Sequence, residues 1–223
     1  MTPPPYPRIP HLFRQPGTER DDRVMPEREA RATLAGELLI EEKLDGFNIS
    51  VASDPAGWPV PYARSGKSSG DRGGQLGRVR AFLTDRADSV RGLLERWPVL
   101  YAEWLMRRHT VAYDALPSWL IVLDLWSPSE GFASTAERDA QCASAGLSTP
   151  PALYVGTPRT VATLAGLCAR SRYGSGPAEG VVLRDARPVS AAPVAKWLAP
   201  SFRRRTDDEF AGAEMNRLAA AVT

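Results

Sequence analysis

Only three of the 28 basic residues in this chain are lysines, Lys43, Lys67 and Lys196; the others are arginines. The distinction is chemical. An amine whose pKa is lowered can lose its proton and attack an electrophile, whereas a guanidinium, with a pKa above about 12, cannot. Lys43 stands in Glu41-Glu42-Lys43-Leu44-Asp45-Gly46-Phe47-Asn48-Ile49-Ser50, beside carboxylates and a glycine that permits close backbone approach. Its unperturbed pKa, near ~10.4, would leave it protonated at neutral pH. Nearby positive charge and partial burial have to lower that value, and Arg64, Lys196 and a bound metal ion are the expected sources.

Four further segments carry residue types of related use. Arg64-Ser65-Gly66-Lys67 offers a fork of donors suited to phosphate or ribose oxygens. Leu100-Tyr101-Ala102-Glu103-Trp104-Leu105 sets a carboxylate among apolar neighbours, where it needs a partner such as a ribose hydroxyl or a cation. Glu179-Gly180-Val181-Val182-Leu183-Arg184 opens a buried strand with a carboxylate able to bind Mg²⁺ directly or through water. Val194-Ala195-Lys196-Trp197-Leu198 alternates as a strand and carries a lysine that could reach an α-phosphate. Each pattern alone is common; in series they have the residue types to hold ATP and act on its α-phosphate.

The elements that must position these residues follow from periodicity. Residues 1–23, rich in Pro, Arg and Asp, read as an extended arm. Residues 38–52 read as strand, turn and strand, with Lys43 at a strand end, and a third strand is expected over 60–64. The composition of 65–74 is that of a flexible loop. One helix is expected over 75–96, closed by Pro98, then strands over 99–105 and 119–126, the second buried on both faces. Helices over 134–145, with Ser134 as N-cap, and 157–171, opening on Thr157-Pro158, precede strands over 180–184 and 194–198. A final helix is expected over 206–221. The sum is a mixed α+β domain over 24–200, followed by a short helical segment over 201–223.

Composition narrows the class. Hydrophobic content of 43% and charged content of 24% are ordinary for a soluble protein, and 223 residues suit one main domain. No apolar run approaches the roughly 20 residues needed to cross a bilayer, and the N-terminus lacks the order of a secretion signal, so no membrane and a cytoplasmic location are expected. Cys142 and Cys168 have no metal-ligand spacing and read as reduced thiols. A net charge of +2 does not mark an indiscriminate polyanion binder. The local clusters Arg78 with Arg80, Arg107-Arg108 and Arg203-Arg204-Arg205 are the places where a phosphate backbone could be met.

Taken together, Lys43-Leu44-Asp45-Gly46, Arg64-Ser65-Gly66, Glu103 between apolar residues, Glu179-Gly180-Val181-Val182 and the strand of Lys196 resemble the successive motifs of the covalent nucleotidyltransferases. That superfamily includes ATP-dependent DNA ligases, RNA ligases and capping guanylyltransferases. With Asn48 and Ser50 following Lys43, the chain is most similar to the RNA ligases, in particular the nick-sealing phage and mRNA-editing class. The resemblance implies two packed antiparallel sheets with flanking helices around an ATP cleft, an ATP-grasp-like nucleotidyltransferase domain. It implies ATP and Mg²⁺ or Mn²⁺ as cofactors and RNA with 5′-phosphate and 3′-hydroxyl ends as substrate, in RNA repair, with an end-healing or RNA-binding protein as a possible partner. It implies Lys43 as nucleophile and Lys196 at the α-phosphate. Glu42, Asp45, Gly46, Asn48, Arg64, Glu103 and Leu123 would hold the nucleotide, Glu179 and Asp45 the metal, and Lys67, Arg203 and Arg204 the RNA.

Two features depart from the family pattern. The late strand usually carries two lysines two apart, but the neighbours of Lys196 at that spacing are Val194 and Leu198, which leaves Arg203 or Arg204 as substitutes. The aromatic expected before Asp124 is Leu123. The stretch after Ser201 suffices for one helix, so no appended β-barrel is expected and a minimal RNA ligase is favoured. The alternatives are a DNA nick ligase, a guanylyltransferase, or an inactive RNA-binding relative.

Overall fold

The computed structural model describes residues 2–15, 18, 22–68, 74–187, 192–203 and 214–220. In chain order its elements are α1 (Glu27–Ala35), β1 (Leu38–Lys43), β2 (Phe47–Ser53), β3 (Pro59–Ala63), α2 (Gln75–Thr84), α3 (Ala87–Arg96), β4 (Val99–Trp104) and β5 (Leu120–Ser127). There follow β6 (Gly131–Phe132), α4 (Thr135–Ser144), β7 (Ala152–Gly156), α5 (Val161–Leu167), β8 (Gly180–Asp185) and β9 (Ala195–Leu198). The strands form two antiparallel sheets, as the α+β reading expects. Among the described residues no helix is long and apolar enough to cross a membrane.

The chain divides into two compact units. One comprises Met1–Pro7, Phe47–Trp104 and Ser118–Thr149, and holds the sheet β3-β2-β4-β5-β6 with α2, α3 and α4. Its centre is β4, buried along its whole length between β2 and β5, which is why its sequence is apolar on both faces apart from Glu103. Tyr6 from the N-terminal segment lies 5.0 Å from the Tyr101 ring and donates to the buried Asp124 carboxylate. Ser134 caps α4 as expected, its Oγ accepting from the Glu137 N–H at 3.2 Å.

The second unit comprises Arg8–Gly46, Leu105–Pro117 and Pro150–Thr223, and holds the sheet β7-β1-β8-β9 with α1 and α5. Side chains alternate across this sheet. Leu38, Ile40, Val181, Leu183, Ala195 and Trp197 share one face and form a core with Leu12, Ala30, Leu34, Leu164 and Cys168. The opposite face takes Glu41, Lys43, Arg184 and Lys196. The sheet extends past β9: the Lys196 N–H donates to Pro10 O at 2.9 Å and the Leu12 N–H to Lys196 O at 2.8 Å, so the arm adds a short parallel edge. Glycine is required at position 180, because a Cβ there would lie 2.2 Å from Trp197 O.

Several elements differ from expectation. The helix expected over 75–96 is broken into α2 and α3 at Asp85-Arg86, where Arg86 leaves helical geometry and its guanidinium stacks 3.9 Å over Phe82. No glycine or proline marks that break in the sequence. Helix α1 was not expected, β6 is too short to signal itself, and β7 is an outer strand without clean alternation. Helix α5 starts at Val161, capped by Thr160, and not at Thr157-Pro158. The terminal helix expected over 206–221 is absent at 214–220, which runs extended beside 105–117 through bridges Arg107 with Met215 and Leu116 with Leu218. The rest of that segment, and most of the 65–74 loop, lie outside the described residues.

Candidate active site

In the second unit, β1 ends on Lys43 opposite Gly180, and Gly180 lies opposite Leu198. The antiparallel register therefore brings Glu179, just ahead of β8, to the lysine: Lys43 Nζ donates to Glu179 Oε2 at 2.6 Å. The carboxylate is almost fully buried and the lysine a quarter exposed, so the amine keeps access to solvent while its partner is fixed. Two residues back on the same face, Glu41 accepts from Arg184 Nε at 2.7 Å, and both side chains are 2% exposed. Glu41 lies opposite Val182, Val182 opposite Lys196, and Lys196 is bridged to His11. One sheet face thus carries Lys43, Glu41, Arg184, Lys196 and His11, and Glu179 meets Lys43 at the end of β1.

The neighbouring residues of the Lys43 motif have separate posts. Glu42 points to the other side of β1, where its carboxylate accepts from Ser171 Oγ at 2.5 Å and the Arg172 N–H at 2.7 Å. Burial raises its pKa above the usual carboxylate value, against the opposing pull of those two donors and the Arg172 charge. Its side chain does not join Lys43. Asp45 Oδ2 accepts from the backbone N–H of Thr110 and Val111 at 2.6 and 2.8 Å, and the Asp45 N–H donates to Tyr113 Oη at 2.8 Å. These bonds tie the Lys43 turn to the 105–117 segment, and they engage the Asp45 oxygen that was expected to serve a metal. Burial pushes the Tyr113 hydroxyl well above its ordinary pKa, which keeps it a neutral hydrogen-bonding post. The same segment is braced by Asn216, whose Nδ2 donates to Leu105 O at 2.6 Å and whose Oδ1 accepts from the Tyr113 N–H at 2.9 Å.

The first unit gathers others of the expected residues. Asn48 on β2 lies opposite Glu103 on β4, and Asn48 Nδ2 donates to Glu103 Oε2 at 3.2 Å. Leu123 is the extra residue of a bulge: consecutive Tyr101 and Ala102 pair with Asp124 and Val122, and buried Arg138 donates to Leu123 O at 2.9 Å. Arg64 and Lys67 are exposed in the turn after β3, closed by the Ala63 N–H donating to Lys67 O. In the second unit, Arg203 is exposed and donates to the carbonyls of Pro200 and Phe202, while Arg204 lies outside the described residues.

Sequence reading missed the Glu41–Arg184 pair, although Glu41 is two residues from Lys43 in a strand and so must share its face. It missed the posts of Ser171, Tyr113 and Asn216, for which a linear pattern carries no signal. It also missed His11, 2% exposed, whose Nε2 lies 3.3 Å from Asp22 Oδ2. Burial, reinforced by Lys196 and Lys43, holds its imidazole below the ordinary pKa, against the pull of Asp22.

Among known structures, an archaeal ATP-dependent RNA ligase is similar over 87% of this chain and 48% of its own, at TM-score 0.59 and 20% identity. A Naegleria gruberi RNA ligase variant with AMP and Mn matches 86% of this chain and 57% of its own, at TM-score 0.56 and 13% identity. Another variant of that ligase, with ATP and Mn, matches 89% and 61%, at TM-score 0.55 and 12% identity. At these identities the likeness is one of fold, and the chain spans about half the length of the archaeal ligase. No curated protein sequence matches it. The sequence pattern of the RNA ligase family, by contrast, matches residues 36–198, from just before β1 to the last residue of β9, with Lys43, Glu179 and Lys196 inside that span. By that match the chain belongs to the RNA ligase family.

Proposed function

We propose that the chain is an ATP-dependent RNA ligase that works through a covalent lysyl-adenylate. The observation that carries this reading is the Lys43–Glu179 pair at the edge of a charged sheet face that also holds Lys196. In the first step the Lys43 ammonium gives a proton to solvent, the neutral amine attacks the α-phosphate of ATP, the phosphorus–nitrogen bond forms as the bond to the leaving pyrophosphate breaks, and the nitrogen sheds its second proton to solvent. Glu179 fixes the lysine and accepts its hydrogen bond beforehand, and Lys196 offers an N–H to the α-phosphate oxygens. AMP then passes to a 5′-phosphate end, and a 3′-hydroxyl attacks that end and releases AMP. The contribution of such a site is positioning and charge neutralisation.

Among the described residues no three acidic, histidine or cysteine side chains gather to hold a metal by themselves, so a divalent ion would rely on Glu179 together with substrate phosphates. Mg²⁺ is held by one or two carboxylates together with substrate phosphates, and the buried Glu179 carboxylate is a hard oxygen donor beside the nucleophile. When bound it would neutralise charge at the phosphates. Asp45, with one oxygen already held by two N–H groups, is better suited to fixing the Lys43 turn than to ligating the ion. For the ribose and base we retain Asn48, Arg64, Glu103 and Leu123 as expected participants, each to be tested by replacement.

Sealing of nicked duplexes with RNA or DNA on each side of the break tests the substrate. The reading expects sealing where the 3′-hydroxyl strand is RNA; sealing of all-DNA nicks alone would favour a DNA ligase. Labelled ATP against labelled GTP tests the nucleotide, with ATP expected to label the protein.

A further inference from the structure

His11 belongs to the N-terminal arm yet sits in the functional sheet. Its backbone is bonded on both sides, the His11 N–H donating to Arg23 O at 2.7 Å and His11 O accepting from the Met25 N–H at 2.9 Å, while Pro10 and Leu12 bond to Lys196. As the parallel bridge partner of Lys196, His11 directs its side chain to the same face as that lysine. The imidazole is buried, with Nε2 turned to Asp22, and Nδ1 has no hydrogen-bond partner among the described residues. A buried polar nitrogen without a partner is rare and demands an explanation.

The charges around this ring are Lys196 on β9, Lys43 on β1 and Asp22 on the segment ahead of α1. With its proton on Nε2, towards Asp22, a neutral imidazole presents only a lone pair at Nδ1. A phosphate group beside Lys196 would alter that balance. Its negative charge favours the imidazolium, the ring takes a proton from solvent, and Nδ1–H becomes a donor to the anion.

We infer that His11 is a phosphate-binding residue of the nucleotide site, its Nδ1 hydrogen-bonding a phosphate oxygen beside Lys196. It supplies from the arm the second cation that sequence analysis sought at Arg203 or Arg204. This rests on the adenylyl-transfer reading and adds to it a residue 32 positions ahead of the nucleophile, as the numbers 11 and 43 state. Nucleotide binding is then coupled to uptake of a proton, and affinity falls as pH rises.

The test is calorimetric binding of α,β-methylene-ATP with Mg²⁺, which cannot release pyrophosphate, in buffers of different ionisation heat between pH 6 and 8. The native chain is expected to bind with net proton uptake that is largest near pH 6 and declines towards pH 8, as both forms of the imidazole become neutral. His11→Gln, which keeps an amide towards Asp22, is expected to lose the uptake and to bind roughly tenfold to a hundredfold more weakly, the span of one hydrogen bond to a charged group. Equal affinity and equal uptake in both proteins would overturn the role of His11 while leaving the adenylyl-transfer reading intact. If the native chain bound no analogue, that reading itself would fail. Should His11→Gln not fold, NMR titration of the native chain serves, with the two histidines told apart by His109→Gln. Inorganic pyrophosphate is expected to raise the His11 pKa by about one unit or more, consistent with an added neighbouring charge; an unchanged titration would overturn the proposal.

Discussion

The proposed chemistry turns on a lysine whose partner is a buried carboxylate. Glu179 holds the Lys43 amine at 2.6 Å, so its loss would remove a carboxylate that orients the proposed nucleophile. Glu179→Gln is expected to slow adenylate formation by about 10²-fold, the cost of losing orientation at a reacting atom, as measured by single-turnover labelling. An unchanged rate would remove Glu179 from the account. His11 bears on stability as well. Its pKa is lowered in the folded chain, so the folded state binds fewer protons there than the unfolded one. The corresponding stability is full above the unfolded value of about 6.5 and is lost as pH falls through the lowered folded value. Thermal unfolding without nucleotide should therefore show stability falling on acidification from pH 7 to 5, with a shallower fall in His11→Gln. Parallel profiles would mean that His11 is not the group being protonated.

At the scale of elements, the strands that carry the site were legible and the pieces that brace it were not. β1, β2, β4, β8 and β9 announce themselves by alternation or by continuous apolar runs, and their antiparallel register brings Lys43 to Glu179. Helix α1 is flanked by Pro26 and Gly36, signals the sequence reading passed over, whereas the α2–α3 break at Asp85-Arg86 carries no glycine or proline to mark it. Glu42 was misread for a related reason. Its proximity to Lys43 in sequence suggested a shared task, while strand alternation sends it to the opposite face. The pairing of Glu41 with Arg184 across β1 and β8 makes a stability prediction of its own. Arg184→Met takes its guanidinium partner from the buried Glu41 carboxylate and is expected to cost about 3–5 kcal/mol, whereas Glu41→Leu with Arg184→Met should recover most of it. Chemical denaturation of the three proteins measures this; a double variant no more stable than the single one would mean that the pair does more than neutralise itself.

At the scale of the whole molecule, distant stretches of chain share one support. The tail at 214–220 braces the 105–117 segment through Asn216, and that segment holds Asp45 by two backbone donors. Asn216→Ala leaves the Leu105 carbonyl and the Tyr113 N–H without their buried partner, and each such group costs about 1–3 kcal/mol. The variant should melt lower and form the adenylate more slowly, while added nucleotide should restore part of its stability by mass action. A variant that melts lower but forms the adenylate at the native rate would confine the tail to stability alone.

The central claim is that Lys43 becomes covalently adenylylated. The direct measurement is the intact mass of the chain after incubation with ATP and Mg²⁺, followed by peptide mapping under conditions that preserve a phosphoramide. The account predicts a gain of one adenylate, mapped to Lys43 and absent in Lys43→Arg. No gain, or an adduct on Lys67 or Lys196, would contradict it.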